Sequence, residues 1–231
     1  MKKILLSLVI IVLFTMNMNA QKQFAGIIKS KTDVEGENID ATIKAQFPMT
    51  SEMKVLNDKT RTDANYGGIG VIQITDMGNN KNYVIIDFSA MSMGIYYREV
   101  PTTNEKQSIN YQYDRDDKKN ILGFECYKVI CTVTDLETDE TQDIIMYISD
   151  DFLPDFKSSQ FDGLKGFPLS TKVKVKTNDS EYFAIEEVIE IKASKKIKPV
   201  NFLLPSAAVP FSEMPAEIKA AFGLGNDEDD D

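Results

Sequence analysis

Period two dominates the chain. Lys172, Lys174 and Lys176 alternate with Val173 and Val175, which writes one wet and one dry face onto a strand. Further on, Phe183, Ile185, Ile189 and Ile191 are interleaved with Glu186, Glu190 and Lys192. Asn178, Asp179 and Ser180 supply turn chemistry between the two segments, so they are expected to pair as a hairpin. Upstream, Tyr127, Val129, Cys131 and Val133 share one face of a strand over 124–134, with Glu125 the only charge in register. A turn over 135–140 leads into 142–149, where Ile144, Met146 and Ile148 share a face, giving a second hairpin. Residues 70–76, 83–88 and 91–98 read as consecutive strands, separated by Gly78-Asn79-Asn80 and by Ser89-Ala90. Residues 24–32, 52–57 and 60–66 are weaker strands, and 39–47 fits strand or helix.

Helical signals are few. Pro215 near the start, Ile218, Ala221 and Phe222 on one face, and Gly223 just past the end punctuate a short helix, which is expected to pack on a sheet. Residues 151–164 carry neither period, with Phe152, Phe156 and Phe161 spread among aspartates, serines and Pro154. Such a loop is either a lid or the cover of a core edge. About ten antiparallel strands in one meander have to curl or split, because open twisted sheets of that size seldom stay flat. The predicted fold class is mainly β with a minor helical part: a single curved antiparallel sheet or half-barrel with a few short helices, or else a sandwich. Thirteen Phe and no Trp point to a core built of Phe, Ile and Val.

The first residues break this pattern. Lys2 and Lys3 precede an apolar run of 11 residues, Ile4 to Phe14, interrupted only by Ser7. Crossing a bilayer as a helix takes about 20 residues, so the run reads as a signal peptide and not as a permanent span. Ala20 is the small residue before a cut at Gln21, although Met18 is larger than usual two positions earlier. The domain reading is a signal peptide over 1–20, one β-rich domain over 21–225 and an acidic, disordered tail over 226–231. A soluble periplasmic or secreted product is expected. The net charge of −10 becomes more negative once the two leader lysines are removed. Such a surface repels phosphate backbones and anionic lipid, which argues against nucleic-acid binding.

The chemistry is defined mostly by what is missing. The chain has no histidine, which removes Ser-His and Cys-His pairs and H-E-x-x-H zinc sites together. Gly67-Gly68-Ile69-Gly70 lacks a following Lys-Ser/Thr and reads as a turn. Cys126 and Cys131 lie five residues apart on one strand, on opposite faces and roughly 16 Å apart at 3.3 Å per residue. A disulfide needs Cα atoms within about 7 Å, so these two are expected to stay unbridged. Asp87, in an apolar strand, and Glu187, on the face of Ile185 and Ile189, are the unusual acids, and pairing with a lysine or arginine, or simply a place at a bulge, explains them more readily than catalysis does. Asp114, Asp116 and Asp117, and the acids from Asp227 to Asp231, do not match a calcium loop. Arg61 and Asp63 share a strand face and are expected to pair, worth roughly 0–1 kcal/mol at a surface. No cofactor, metal or catalytic residue is expected.

Three stretches in order carry a resemblance: Met53-Lys54-Val55-Leu56-Asn57-Asp58-Lys59-Thr60-Arg61-Thr62-Asp63, then Val84-Ile85-Ile86-Asp87, then Ile121-Leu122-Gly123-Phe124-Glu125-Cys126-Tyr127-Lys128-Val129. This order resembles a domain-of-unknown-function family of secreted proteins from Bacteroidota. Gly163-Leu164-Lys165-Gly166-Phe167-Pro168-Leu169 is similar to the signature of the related GLPGLI family, with Lys165 in place of the proline. The resemblance spans roughly residues 50–205. It implies a fold similar to the outer-membrane lipoprotein carrier, a curved antiparallel sheet around helices whose apolar concavity holds acyl chains. It brings no activity and no catalytic residues.

On this basis the sequence suggests a non-enzymatic carrier of a lipid-like or other apolar ligand in the cell envelope. Met91, Met93, Ile95 and Tyr97 on one strand face are the candidate lining, since Met adapts to variable apolar shapes. The competing expectation is an envelope protein that binds another protein through an exposed patch or sheet edge.

Overall fold

The computed structural model describes residues 24–37, 39–45, 47–101, 106–152, 161, 163–176 and 181–221. The expected signal peptide, the acidic tail, the turn over 178–180, Phe156, Phe222 and Gly223 lie outside the described residues. The alternation read from the sequence becomes twelve strands: β1 (Ala25–Gly36), β2 (Thr50–Leu56), β3 (Lys59–Tyr66), β4 (Ile69–Asp76), β5 (Lys81–Asp87), β6 (Ile95–Glu99), β7 (Gln107–Ile121), β8 (Phe124–Asp135), β9 (Thr141–Ser149), β10 (Phe167–Lys176), β11 (Glu181–Ala193) and β12 (Ala208–Pro210). They form one sheet in the order β12-β6-β5-β4-β3-β2-β1-β11-β10-β9-β8-β7. Every neighbour pair is antiparallel except β12, which runs parallel to β6. The sheet is open, not closed into a barrel, and it does not split into the sandwich that was the alternative expectation.

Tight turns set the registers. Gly67 and Gly68, at φ 60° and 101°, join β3 to β4, and Leu122 and Gly123, at φ 52° and 89°, join β7 to β8. Two-residue loops with positive φ at both positions match the right-handed twist of the strands they connect. The ambiguous stretch over 39–47 contains a short helix, α1 (Ala41–Ala45), whose first turn is capped by Asp40 accepting from the Ile43 amide at 2.8 Å. The C-terminal helix is α2 (Ala216–Ala221).

The expected strand over 91–98 is shorter than its pattern. Ser89–Met91 forms a single 3-10 turn, and Ser92 at φ 60° and Gly94 at φ 96° turn the backbone out of the extended region before β6 begins at Ile95. Two strands, β7 and β12, were not expected from the sequence.

Burial follows the pleat. Consecutive residues of β5 and β6 go to opposite sides: Ile85 lies opposite Tyr97, and Ile86 opposite Tyr96. On one side, Ile72, Ile74 and Ile85 pack with Tyr83, Ile95 and Tyr97 under Ile197, Phe202 and Leu204. On the other, Phe88 and Tyr96 pack with Ile86 and Met93 under Phe211, Met214 and Ile218. Residues 194–218 therefore form a strap that crosses one face, adds β12 at the edge and returns along the other face. Each large apolar side chain buried this way contributes about 1.5–3 kcal/mol.

At the far end of the sheet, β8 also buries both faces. Cys126 packs with Ile28, Val55, Phe167 and Leu169, while Tyr127, Val129 and Cys131 pack with Ile144, Met146 and Ile148. Both cysteines are buried and free, as their offset predicts. Phe152 joins the first of these clusters and Phe161 and Leu164 the second, so the described ends of the 151–164 segment cover core.

Candidate functional site

The four predicted lining residues do not share a surface. Met91 is 40% exposed on its turn, and Met93 packs beside Phe88 and Tyr96. Ile95 and Tyr97 face the other side of the sheet, beneath Ile197 and Phe202. The cause is the backbone reversal at Ser92 and Gly94, which ends the period-two relation between the methionines and β6.

The two unusual acids are accounted for by partners. Asp87 is half-buried at the end of β5, where it accepts from the backbone amide and hydroxyl of Ser89 and so caps the turn. Glu187 accepts from Lys119 at 3.0 Å. Ile189, counted with it on one face, is exposed at a bulge where β11 shifts register against β1.

A shallow groove of about 430 Å³ lies over Lys29, Ser51, Glu52, Asp63, Asn65 and Ile189. Its charges neutralise one another. Lys54 reaches Glu52 at 3.3 Å and Asp63 at 3.0 Å, and Arg61 holds Asp63 through Nε and Nη2, the latter at 2.7 Å. Burial pushes the Asp63 carboxyl up, but the hydrogen bonds from Arg61 and Lys54 outweigh it and leave Asp63 below its ordinary value. Lys29 is taken by Glu190 at 2.8 Å. Among the described residues no buried side-chain polar atom lacks a partner, and no group of three or more potential metal ligands occurs.

One edge of the sheet has no neighbouring strand among the described residues. It is the outer edge of β7. An edge strand presents a row of free N–H and C=O groups, which proteins ordinarily protect with charge, proline, shortness or a cover. The opposite edge has such protection: β12 is three residues long, ends in Pro210 and leads into the packed strap. On β7, Gln107-Ser108-Ile109-Asn110-Tyr111-Gln112-Tyr113 contains no charge, proline or glycine. Ile109, Tyr111 and Tyr113 extend the apolar row of Val133, Cys131 and Val129 on β8. The rings of Tyr111, Tyr113 and Tyr127 follow one another at 6.3 Å. Tyr113 is 36% exposed.

The open stretch ends at a fixed point. The ladder with β8 jumps from Asp114 to Lys118, leaving the residues between them as a bulge. Asp114 accepts from the amides of Asp116 and Asp117, each at 3.2 Å, which closes the bulge from within. Arg115 lies over the Tyr127 ring at 4.3 Å and bonds Asp150 at 3.0 Å, while Tyr127 donates to Asp150 at 2.6 Å. Burial, then the adjacent Asp150 carboxylate, raises the Tyr127 hydroxyl pKa, so it stays a donor. Asp117 is held by Lys128 at 3.1 Å and by Tyr147 at 3.0 Å.

No protein-family profile matches the chain, and no curated protein matches it. Among solved structures, a DUF1329 family protein from Desulfovibrio piger aligns over 81% of this chain and 92% of its own, with 8% identity and a TM-score of 0.24. That score is too low for any property to pass from one protein to the other. The GLPGLI and Bacteroidota resemblance gains nothing from these comparisons. No helix among the described residues is long and apolar enough to cross a membrane.

The β7 residues are the part of the site that sequence reasoning missed. Their alternation of Ile109, Tyr111 and Tyr113 with Ser108, Asn110 and Gln112 is a strand signal. The neighbouring run of charges draws attention to calcium chemistry instead.

Proposed function

We propose that the protein is a non-enzymatic binding protein of the cell envelope, periplasmic or secreted, that takes an extended polypeptide along the outer edge of β7. The observation that carries this reading is the contrast between the two sheet edges: one is plugged by β12 and the strap, while the other is uncharged over residues 107–113 and has no strand beside it among the described residues. Strand addition to such an edge gains main-chain hydrogen bonds without any pocket. Alternate partner side chains then meet an aromatic row on one side and Asn110 and Gln112 on the other.

The carrier of a lipid-like ligand takes second place. Its candidate lining is divided between two faces, and Ile95 and Tyr97 are covered by the strap. A ligand there has to displace Ile197, Phe202 and Leu204.

The test is hydrogen exchange on the chain purified without detergent, alone and in complexes recovered from the envelope, with native mass spectrometry and lipid extraction on the same samples. Slowed exchange at residues 108–113 in the complexes, with no organic-extractable mass, is the expected result. A reproducible lipid adduct with β7 exchange unchanged overturns the polypeptide reading.

A further inference from the structure

The strap carries a charge pattern unlike the rest of the chain. Against 36 acids and 26 cations overall, the stretch between Glu190 and Glu213 holds four lysines and no acid. Three of these, Lys195, Lys196 and Lys198, are exposed where the chain leaves β11, and none of them enters an ion pair among the described residues. Glu190 on β11 is held by Lys29 at 2.8 Å, and on the strands beneath the strap Asp63 is held by Arg61 at 2.7 Å and Asp76 by Lys59.

Beside the lysines stand two exposed apolar side chains. Ile197 and Phe202 are buried against the sheet, which leaves Val200 and Leu203, 63% and 61% exposed, facing away from it. They flank a 3-10 turn (Pro199–Phe202) in which the Leu203 amide donates to the Val200 carbonyl at 3.4 Å, and positions three apart in such a turn fall on one side. Protein interfaces are enriched in Arg and aromatic residues and depleted in Lys, whereas every cation in this stretch is lysine. A bilayer surface suits the set better: lysines reach lipid phosphates with their stems along the boundary, and aliphatic side chains enter the acyl region. The net charge of −10 opposes approach of the molecule as a whole. At physiological ionic strength, however, exposed charges act over about 8 Å, so only those near the turn meet the bilayer.

We propose that this turn docks the protein on an anionic lipid bilayer, with Lys195, Lys196 and Lys198 at the phosphates and Val200 and Leu203 inserted below them. The inference is independent of β7, which lies at the far end of the sheet from the strands under the strap and stays free for a polypeptide.

The test is flotation of the purified full chain with vesicles of mixed phosphatidylglycerol and phosphatidylcholine, against vesicles of phosphatidylcholine alone. Binding to the first and not to the second is expected, weakening as salt is added. Each lysine at such a surface is worth about fivefold in partitioning, so Lys195→Gln, Lys196→Gln and Lys198→Gln together lower it on the order of a hundredfold. Lys31→Gln, Lys118→Gln and Lys174→Gln together remove the same charge at exposed positions elsewhere and are expected to lower it by less than about threefold. Insertion has its own readout. The chain has no Trp, so the indole of Leu203→Trp is the sole one, and its emission is expected to shift to the blue with anionic vesicles and to be quenched by brominated acyl chains. Leu136→Trp, at a 55% exposed position between β8 and β9, is expected to do neither. All the substituted side chains are exposed, and far-UV circular dichroism checks that each variant keeps the fold.

Equal loss of binding in the two lysine triples overturns the docking surface, because net charge would then set the affinity. Absence of flotation with the anionic vesicles also overturns it and turns the search to an acidic protein surface. Flotation with the Leu203→Trp emission unmoved overturns the insertion.

Discussion

Phe202 is the keystone of the strap, and truncating it tests whether the strap is part of the cooperative fold. The side chain is 8% exposed, in a 3-10 turn (Pro199–Phe202) lying over Ile72, Ile74 and Ile85. Phe→Ala in a core costs about 3–5 kcal/mol. Phe202 packs against one sheet face with solvent not far above it, so the site can partly collapse and the lower figure, about 3 kcal/mol, is expected. With a urea m-value of roughly 2–3 kcal/mol/M, the unfolding midpoint falls by about 1–1.5 M. Val200, 63% exposed in the same turn, is the control, since Val200→Ala at such a surface stays within about 0.5 kcal/mol. The assay is urea titration followed by far-UV circular dichroism, with a hydrophobic dye reporting whether Ile85 and Tyr97 become accessible. Equal midpoints for the two variants would refute the argument. So would a large shift for both, because the difference in burial would then not set the cost.

Two smaller perturbations examine a turn and a charge cluster. Leu122 sits at φ 52° in the β7–β8 turn and is exposed, so Leu122→Asn, which tolerates that conformation, is expected to raise stability by about 0.5–1 kcal/mol in the same titration. Asp63, held below its ordinary value in the fold, contributes stability that is complete above the unfolded carboxylate value near about 4 and is lost as pH falls through the lower folded value. Asp63→Asn is therefore expected to be less stable than wild type at neutral pH and to show a flatter decline in acid. Parallel curves for the two proteins down to pH 2 would show that Asp63 is not coupled to folding.

How much of this was legible in the sequence depends on whether a residue's surroundings are local. The hairpins β8–β9 and β10–β11 follow from alternation and turn residues alone, and both cysteines sit where their five-residue offset places them. Met91 and Met93 were misread because alternation continues in the letters after the backbone has left the extended region at Ser92 and Gly94. The pairing of β1 with β11 and the wrap of Phe202 and Phe211 around an edge are long-range packing, for which no local pattern exists. β7 carried its signal, but Asp114, Arg115, Asp116 and Asp117 interrupt it, and a bulge of that composition looks like a loop until Asp150, Tyr127 and Lys128 are seen to hold it.

The placement of β1 has a consequence for the order of assembly. Strands β1 to β6 and β7 to β11 are each a meander whose neighbours follow one another in the chain, but β1 lies between β2 and β11. The strand made first therefore waits for nearly the last before its second side is satisfied. Such a non-local ladder slows folding, because its loop has to close before any contact repays the cost. During that interval β1 is itself a bare edge, and Lys29, Lys31, Asp33 and Glu35, alternating along it, supply charges that hinder pairing with the wrong strand.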